Sequence, residues 1–167
     1  KMKFLSEKIS KKDIISALKI YNFYISNSLA NFEEKKLTIK DFLLLYKKIR
    51  INKLPFILLK NDDVVAGIAF VNKFREKSGY RFAYEHSIYI KHNLIKKGYG
   101  SLIMEELLKK CKKSIKIKNL IAVIGGTNNT ISIKFHKKNG FKYIGTLKKI
   151  GYKKNKWIDS IYMQKKL

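Results

Sequence analysis

The stretch IKKGYGSLIMEEL, residues 95–107, joins a lysine-rich loop with two glycines to the start of an apolar-periodic helix. A strand, a glycine turn and a helix N-terminus in this order are typical of an anion site, because the first helical turn has free N–H groups and a partial positive charge. Gly98 and Gly100 lack the Cβ atoms that would keep an anion away. The pattern also fits a plain tight turn, and it matches neither the three-glycine dinucleotide fingerprint nor the P-loop. The rest of the chain is needed to distinguish an anion site from a plain tight turn.

The segments around this loop predict a single α/β domain over residues 1–167. A chain of 167 residues is long enough to bury one sizeable core and short for two. The apolar patterns give the order β-α-α-β-β-β-α-β-α-β-β, which predicts a central sheet with helices on both faces. The strands are predicted at residues 2–8, 56–60, 64–72, 80–90, 120–125, 141–147 and 157–164, and the helices at 14–29, 42–49, 101–113 and 129–138. Capping patterns that begin at Ser10 and Thr38 mark the starts of the first two helices.

The net charge of the chain is +26, from 38 basic and 12 acidic side chains. Such an excess is common in proteins that bind nucleic acid or anionic membranes. Only three of the basic residues are arginines, which base readers prefer for their planar fork, and the 35 lysines are spread over the whole chain. Lysine, isoleucine and asparagine have A/T-rich codons, so an A/T-rich genome explains this composition and makes nucleic acid an unlikely partner. A polyanion partner is the alternative.

The single cysteine and the N-terminal segment favour the cytoplasm. Cys111 cannot form an internal disulfide, which fits a reducing compartment, and its position on the inward face of a helix predicts a core residue rather than a nucleophile. The segment KMKFLSEKIS lacks the apolar stretch of a signal peptide, and no run of about 18 apolar residues predicts a membrane helix. With only three histidines and one cysteine, the sequence contains no visible cluster of metal ligands, so we predict no metal site.

Five segments resemble, in order and spacing, the GNAT superfamily of N-acetyltransferases. Within it they are similar to the branch of phosphinothricin and methionine sulfoximine acetyltransferases, and the resemblance covers nearly the whole chain. The segments are IYNFYISNSLANFEE (20–34), YRFAYEHSIYI (80–90), KKGYGS (96–101), NTISIKFHKKNGF (129–141) and GYKKNKWIDSIYMQ (151–164).

The resemblance implies a fold and a cofactor. The fold would be the α/β GNAT type, with a mixed central sheet that splays open to admit acetyl-CoA, and members often form homodimers. Amides of the glycine loop would hold the pyrophosphate, one asparagine would contact the pantetheine arm, and backbone N–H groups of the preceding strand would stabilise the oxyanion. The residues in these roles would be Lys96, Lys97, Gly98, Tyr99, Gly100 and Ser101 in the loop, Asn129 at the arm, and Tyr89 and Ile90 on the strand.

Two positions depart from the pattern of the family. Arginine or glutamine usually stands three residues before the first glycine of the loop, where this chain has Ile95, so we expect Lys96 and Lys97 to supply the charge. In the region that would bind the amino acid, Lys77 replaces an arginine and presents a point charge instead of a fork, with Arg75 as a possible substitute. By the resemblance, Phe32, Glu33, Lys77 and Tyr80 would contact the substrate.

Acetyl transfer to an amine requires a base that removes a proton from the ammonium group, and Glu85 is the candidate. Strand alternation places Glu85, Ser87 and Tyr89 on one side and directs His86 to the other. A carboxylate whose pKa rises toward neutrality suits a general base. The alternative is that Glu85 forms an ion pair with one of the many lysines.

His136 is the second catalytic candidate. It stands where many members of the superfamily have a tyrosine that protonates the leaving thiolate, and an imidazole titrates close to neutral pH. The alternative is a packed helix histidine that bonds to the fold. His86, which would face away from Glu85, and His92, in the loop after the strand, have weaker claims.

Together these features predict an acetyl-CoA-dependent enzyme that acetylates the α-amine of a small amino-acid-like substrate by direct transfer and without a metal. Phosphinothricin, methionine sulfoximine and methionine sulfone are the leading substrates by resemblance. The rivals are an enzyme for a protein N-terminus, a polyamine or aminoacyl-tRNA, and a domain that binds acetyl-CoA or RNA without catalysis.

Overall fold

Seven strands form one mixed sheet in the computed structural model, which describes residues 1–126 and 129–167. The element order confirms the order expected from the sequence. The strands are β1 (Met2–Leu5), β2 (Phe56–Asn61), β3 (Val64–Lys73), β4 (Ala83–Ile90), β5 (Asn119–Gly125), β6 (Lys142–Lys153) and β7 (Lys156–Lys166). The helices are α1 (Lys11–Asn27), α2 (Ile39–Ile51), α3 (Tyr99–Lys113) and α4 (Thr130–Lys138).

The sheet opens in its middle, between β4 and β5. The strand order is β1-β2-β3-β4-β5-β7-β6, and β4–β5 is the parallel pair among antiparallel neighbours. These two strands pair at only three positions, of which Glu85↔Ile121 is the last, although β4 continues to Ile90 and β5 to Gly125. The strands therefore separate directly after Glu85, which confirms the splayed sheet.

Helices cover both faces of the sheet. On one face, Tyr21 of α1 packs edge-on against Tyr89, with ring centroids 5.3 Å apart. On the other, Gly67 lies close to the side chains of Ile90 and of Ile103 in α3. Because Tyr89 and Ile90 are neighbours on β4, their side chains point to opposite faces, and so do the helices that they contact.

Two helix starts are capped as the sequence indicates. The Asp13 amide donates to Ser10 Oγ at 3.1 Å, and Thr38 forms a capping box with Asp41. Such caps satisfy backbone donors that the first turn leaves free.

Several boundaries differ from the sequence prediction. Strand β1 ends at Leu5, a single 3-10 turn at Ser78–Tyr80 precedes β4, and α3 begins two residues early at Tyr99. Strand β6 extends six residues further, to Lys153, because the hairpin with β7 continues through a lysine-rich segment with no apolar alternation.

Cys111 is fully buried, as expected for a core residue, and burial raises the pKa of its thiol to about 12. A thiol in this state is a poor nucleophile. In the described ranges, no helix combines the length and apolar character needed to cross a membrane.

Candidate active site

A cavity of about 430 Å³ lies where β4 and β5 separate. Its walls are formed by the two diverging strands, the loop that follows α1, and helix α4. The lining includes Asn31, Phe32 and Glu33 from the loop, Glu85, His86, Ser87, Ile88 and Tyr89 from β4, and Asn129, Ser132 and His136 from the start and body of α4.

Glu85 stands at the inner end of this cavity, at the last paired position of β4 with β5. Burial raises the pKa of its carboxyl group above the usual range, and the positive charge of Arg75 opposes this shift. A neighbouring cavity of about 410 Å³ shares Glu85 and Glu33 with the first. Glu85 is therefore placed between two openings with the raised pKa that a general base requires.

The backbone of β4 offers a hydrogen-bond donor to the opening. The amide of Lys91 donates to the Ala66 carbonyl of β3 at 2.8 Å. In an antiparallel pair such bonds occur at every second residue, so the N–H of Tyr89 also points to β3 and that of Ile90 points away from it. The carbonyl of Ile90 accepts from the Tyr24 hydroxyl. Of the two donors expected from the sequence, Ile90 faces the opening, whereas Tyr89 uses its N–H within the sheet.

The side chain of Tyr89 holds the loop after α1. Its buried hydroxyl accepts from Asn31 Nδ2 at 3.1 Å, and Asn31 Oδ1 accepts from the Glu33 amide at 2.8 Å. Burial raises the pKa of the Tyr89 hydroxyl, so this group stays protonated. The arrangement fixes the loop that presents Phe32 and Glu33 to the cavity.

The glycine loop ends at the start of α3 in a form that leaves amides free. Gly98 is the N-cap residue with φ of +81°, a backbone conformation that residues other than glycine rarely adopt. No side chain caps the start of this helix. The first helical bond joins the Leu102 amide to the Gly98 carbonyl at 3.2 Å, which leaves the amides of Tyr99, Gly100 and Ser101 as first-turn donors. Apart from the adjacent chain itself, no described atom lies within 4 Å of the position that a Cβ at Gly98 would take.

Lysines and a tyrosine flank these amides. Lys96 and Lys97 are exposed, and the hydroxyl of Tyr99 accepts from Asn61 Nδ2 at 3.2 Å. The side chain of Tyr99 thus ties the start of α3 to the β2–β3 hairpin, while both lysines remain at the surface near the loop.

The cavity wall contains a pair of buried histidines. The Nε2 atoms of His86 and His136 are 3.0 Å apart, and His136 Nδ1 lies 2.7 Å from the Ser132 carbonyl. Burial lowers the pKa of His86 to about 3, with a further contribution from His136, and burial also lowers the pKa of His136. Both rings are therefore neutral at physiological pH.

The sequence-based substrate residues fall into two groups. Phe32 and Glu33 line the cavity with Glu85. Lys77 lines a separate cavity together with Arg75, and Tyr80 is 46% exposed and packs against Phe74. The structure therefore does not bring Lys77 and Tyr80 to the Glu85 cavity.

Two functional neighbours were missed by sequence reasoning. Asn31 connects Tyr89 to the loop, and Lys153 Nζ donates to the carbonyls of Ser28 at 2.9 Å and Asn31 at 2.6 Å. A lysine among 35 gives no signal in the sequence, and only the long β6–β7 hairpin brings Lys153 to the loop. Among the residues in view, no group of three or more His, Cys, Asp and Glu side chains could hold a metal ion.

Known proteins resemble this chain over nearly its full length. The phosphinothricin N-acetyltransferase of Alcaligenes faecalis is 31% identical over 155 residues, which cover 93% of this chain and 78% of that protein. The L-methionine sulfoximine/L-methionine sulfone acetyltransferase of Salmonella typhimurium is 24% identical over 160 residues, which cover 94% of this chain and 91% of that protein.

Solved structures give the same result. A ribosomal-protein-alanine N-acetyltransferase from Brucella melitensis superposes with a TM-score of 0.93 at 29% identity and 99% coverage of both chains. A GNAT superfamily phosphinothricin acetyltransferase from Sinorhizobium meliloti, in complex with AcCoA, superposes with a TM-score of 0.90 at 29% identity, covering 99% of this chain and 88% of that one. The family model of the acetyltransferase (GNAT) domain matches residues 7–162. With the splayed sheet and its cavity, these matches place the chain in the GNAT family of acetyltransferases.

Proposed function

We propose that this protein transfers the acetyl group of acetyl-CoA to the α-amine of a small amino-acid-like molecule of the phosphinothricin, methionine sulfoximine or methionine sulfone class. The observation that carries the proposal is Glu85, a carboxylate with a raised pKa at the point where the sheet opens. The relatives named for these substrates support the choice of substrate class.

The cleft suits acetyl-CoA. The amides of Tyr99, Gly100 and Ser101 would hold the pyrophosphate, with Lys96 and Lys97 supplying charge in place of the side chain that Ile95 lacks. Asn129 lines the cavity together with Glu85 and would contact the pantetheine arm. Bound there, acetyl-CoA supplies an acetyl group that its thioester has already activated.

Glu85 accepts the proton that the substrate ammonium must lose, directly or through a water molecule. Its raised pKa brings its basicity closer to that of the proton donor, which improves general base catalysis near neutral pH. The N–H of Ile90 faces the opening and stabilises the negative charge that develops on the carbonyl oxygen. The role of His136 as proton donor to the thiolate stays a prediction. Both of its ring nitrogens are hydrogen-bonded within the protein, which does not favour that role.

Phe32 and Glu33 would form the substrate side of the cavity, since both lie on its wall beside Glu85. Arg75 lines the separate cavity with Lys77, but its charge acts on Glu85, so we propose Arg75 rather than Lys77 as the partner of a substrate carboxylate. A planar guanidinium also binds a carboxylate with two parallel hydrogen bonds.

A thiol-release assay with acetyl-CoA and a panel of amines tests this proposal. The panel contains phosphinothricin, methionine sulfoximine, methionine sulfone, polyamines, peptides and charged tRNA. Glu85→Gln should lower kcat on the amino acids by about 10²- to 10⁴-fold, the usual contribution of a general base. The variant should unfold at the same or a higher temperature, because a carboxyl with a raised pKa costs stability once it ionises.

Glu105→Gln is the matched control, since Glu105 is exposed on α3. An unchanged rate in Glu85→Gln would remove Glu85 from the mechanism. Turnover restricted to charged tRNA or peptides would instead establish an enzyme for those substrates. Salt-sensitive RNA binding without any turnover would establish a non-catalytic RNA-binding domain.

The proposal includes a homodimer in the cytoplasm. Six large apolar side chains are exposed on the β6–β7 hairpin: Tyr143, Ile144, Leu147, Ile150, Tyr152 and Trp157. A surface of this kind on a sheet edge is typical of an interface, and a second copy of the chain is the occupant that we propose. The single free cysteine is compatible with a reducing compartment.

A further inference from the structure

The two buried histidines connect β4 to α4 at the point where β4 and β5 separate. Backbone pairing between β4 and β5 ends at Glu85, and His86 is the next residue. At this position the imidazole of His86 meets that of His136 on α4, with their Nε2 atoms 3.0 Å apart. A side-chain contact therefore begins where the sheet ladder stops.

Hydrogen-bond chemistry fixes the tautomers of both rings. The Ser132 carbonyl can only accept, so the proton on His136 lies at Nδ1, 2.7 Å from that oxygen. Since both rings are neutral, Nε2 of His136 carries a lone pair. Two facing lone pairs would repel each other at 3.0 Å, so His86 carries its proton at Nε2 and donates it to His136.

The chain of hydrogen bonds continues to the other strand. Asn129 Oδ1 accepts from the Ser132 amide at 3.3 Å, and Asn129 Nδ2 donates to the Gly125 carbonyl at the end of β5, also at 3.3 Å. Helix α4 is thus held from β4 through His136 in its last turn and from β5 through its N-cap residue Asn129.

We propose that His86 is a positioning residue that donates to His136 in the last turn of α4, and so fixes this helix across the opening of the sheet. Through Ser132, the same contacts set the place of Asn129 in the cofactor cleft. His136 then acts as the middle of this connection and not as a proton donor to the thiolate. The effect on acetyl-CoA binding rests on the proposed function, whereas the tautomers of the two histidines are independent of it.

Nitrogen NMR on the wild-type protein tests the tautomers without any assay of activity. Long-range proton–nitrogen correlations of the three histidines should show His136 protonated at Nδ1 and His86 at Nε2, with His92 as an exposed reference. A proton on Nε2 of His136 would overturn the proposal. This result does not depend on the folding of any variant.

Two substitutions of His86 then separate positioning from chemistry. His86→Leu removes the donor, and we expect the Kd and KM for acetyl-CoA to rise about tenfold, as for one lost buried hydrogen bond, with kcat within about twofold. His86→Gln keeps an N–H donor at a similar reach and should restore most of the affinity. His92→Gln is the control, since His92 stacks on Phe23 outside the cavity.

Calorimetric titration with acetyl-CoA distinguishes the two possible failures. If the wild-type protein does not bind acetyl-CoA, the proposed function fails. If the wild type binds and His86→Leu binds equally well, or loses kcat with an unchanged KM, the positioning role of His86 fails.

Discussion

The carboxyl group of Glu85 responds to two opposing influences. Burial in the cavity raises its pKa, and the guanidinium of Arg75 lowers it. That guanidinium is held in place locally, 4.4 Å above the ring of Phe74 and with Nη1 donating to the Phe74 carbonyl at 3.3 Å. Arg75 therefore limits how far the pKa of Glu85 rises, apart from any contact with substrate.

Removing Arg75 should shift the pH dependence of the reaction in a defined direction. In Arg75→Leu the pKa of Glu85 rises further, so a higher pH is required to keep this base deprotonated. The acidic limb of the kcat/KM profile, which reports the free enzyme, should move to higher pH. Arg81→Leu is the matched control, since Arg81 stacks on Phe82 in a similar way and does not influence Glu85. An acidic limb that stays in place in Arg75→Leu would show that another group titrates.

The sequence predicted the orientation of a single side chain only where a local rule such as strand alternation applies. Alternation along β4 predicted that Glu85 and Ser87 share a side, and the neighbouring cavity is lined by these two residues of β4 but not by His86. The same rule sent His86 to the opposite side and gave it little weight. Its partner lies fifty positions away on a helix whose placement depends on tertiary packing, so the histidine pair could not be predicted locally.

At the scale of elements, the β6–β7 hairpin supports the loop after α1. Lys153 is 2% exposed, and its ammonium group donates to two carbonyls of that loop. Gly151 allows the approach, because a Cβ there would overlap with the ring of Phe32. The hairpin thus helps to place Phe32, which lines the substrate side of the cavity.

Lys153→Met should loosen this loop. The substitution keeps most of the side-chain volume and leaves two carbonyls without their donor, which costs about 1–3 kcal/mol for each group that stays buried. We expect faster amide hydrogen exchange in residues 28–33 and a KM that rises more for the amine than for acetyl-CoA. Lys156→Met, at an exposed position of the same hairpin, provides the comparison. Equal exchange and equal KM values in the two variants would contradict the supporting role.

The elements themselves were predictable where apolar periodicity or caps were strong. Ser10 and Thr38 marked the helix starts, and the apolar segment of β5 was placed correctly. The second half of β6 was missed, because residues 148–153 carry lysines on both faces of the strand. Pairing with β7 holds Gly151, Tyr152 and Lys153 after an irregularity that follows Leu147. Register and pairing partners override weak local patterns in such a segment.

At the scale of the whole molecule, two surface properties oppose each other. A net charge of +26 makes copies of the chain repel, while the exposed apolar side chains of the hairpin favour association. Repulsion between exposed charges is screened over about 8 Å at physiological ionic strength, whereas apolar burial is little affected by screening. The proposed dimer should therefore become tighter as salt is added.

Sedimentation at increasing salt tests the dimer together with its interface. The wild-type protein should sediment as a dimer that dissociates more readily at low ionic strength, because unscreened lysines repel. In the double variant Leu147→Lys/Trp157→Lys, each substitution adds a charge to the apolar surface of the hairpin, and we expect a monomer. Ile115→Lys is the control, since Ile115 is 82% exposed in the connection before β5, away from the hairpin. A wild-type protein that is monomeric at every salt concentration would refute the dimer. A double variant that still dimerises would place its interface elsewhere than the β6–β7 hairpin, since apolar burial at this surface cannot survive two added ammonium groups.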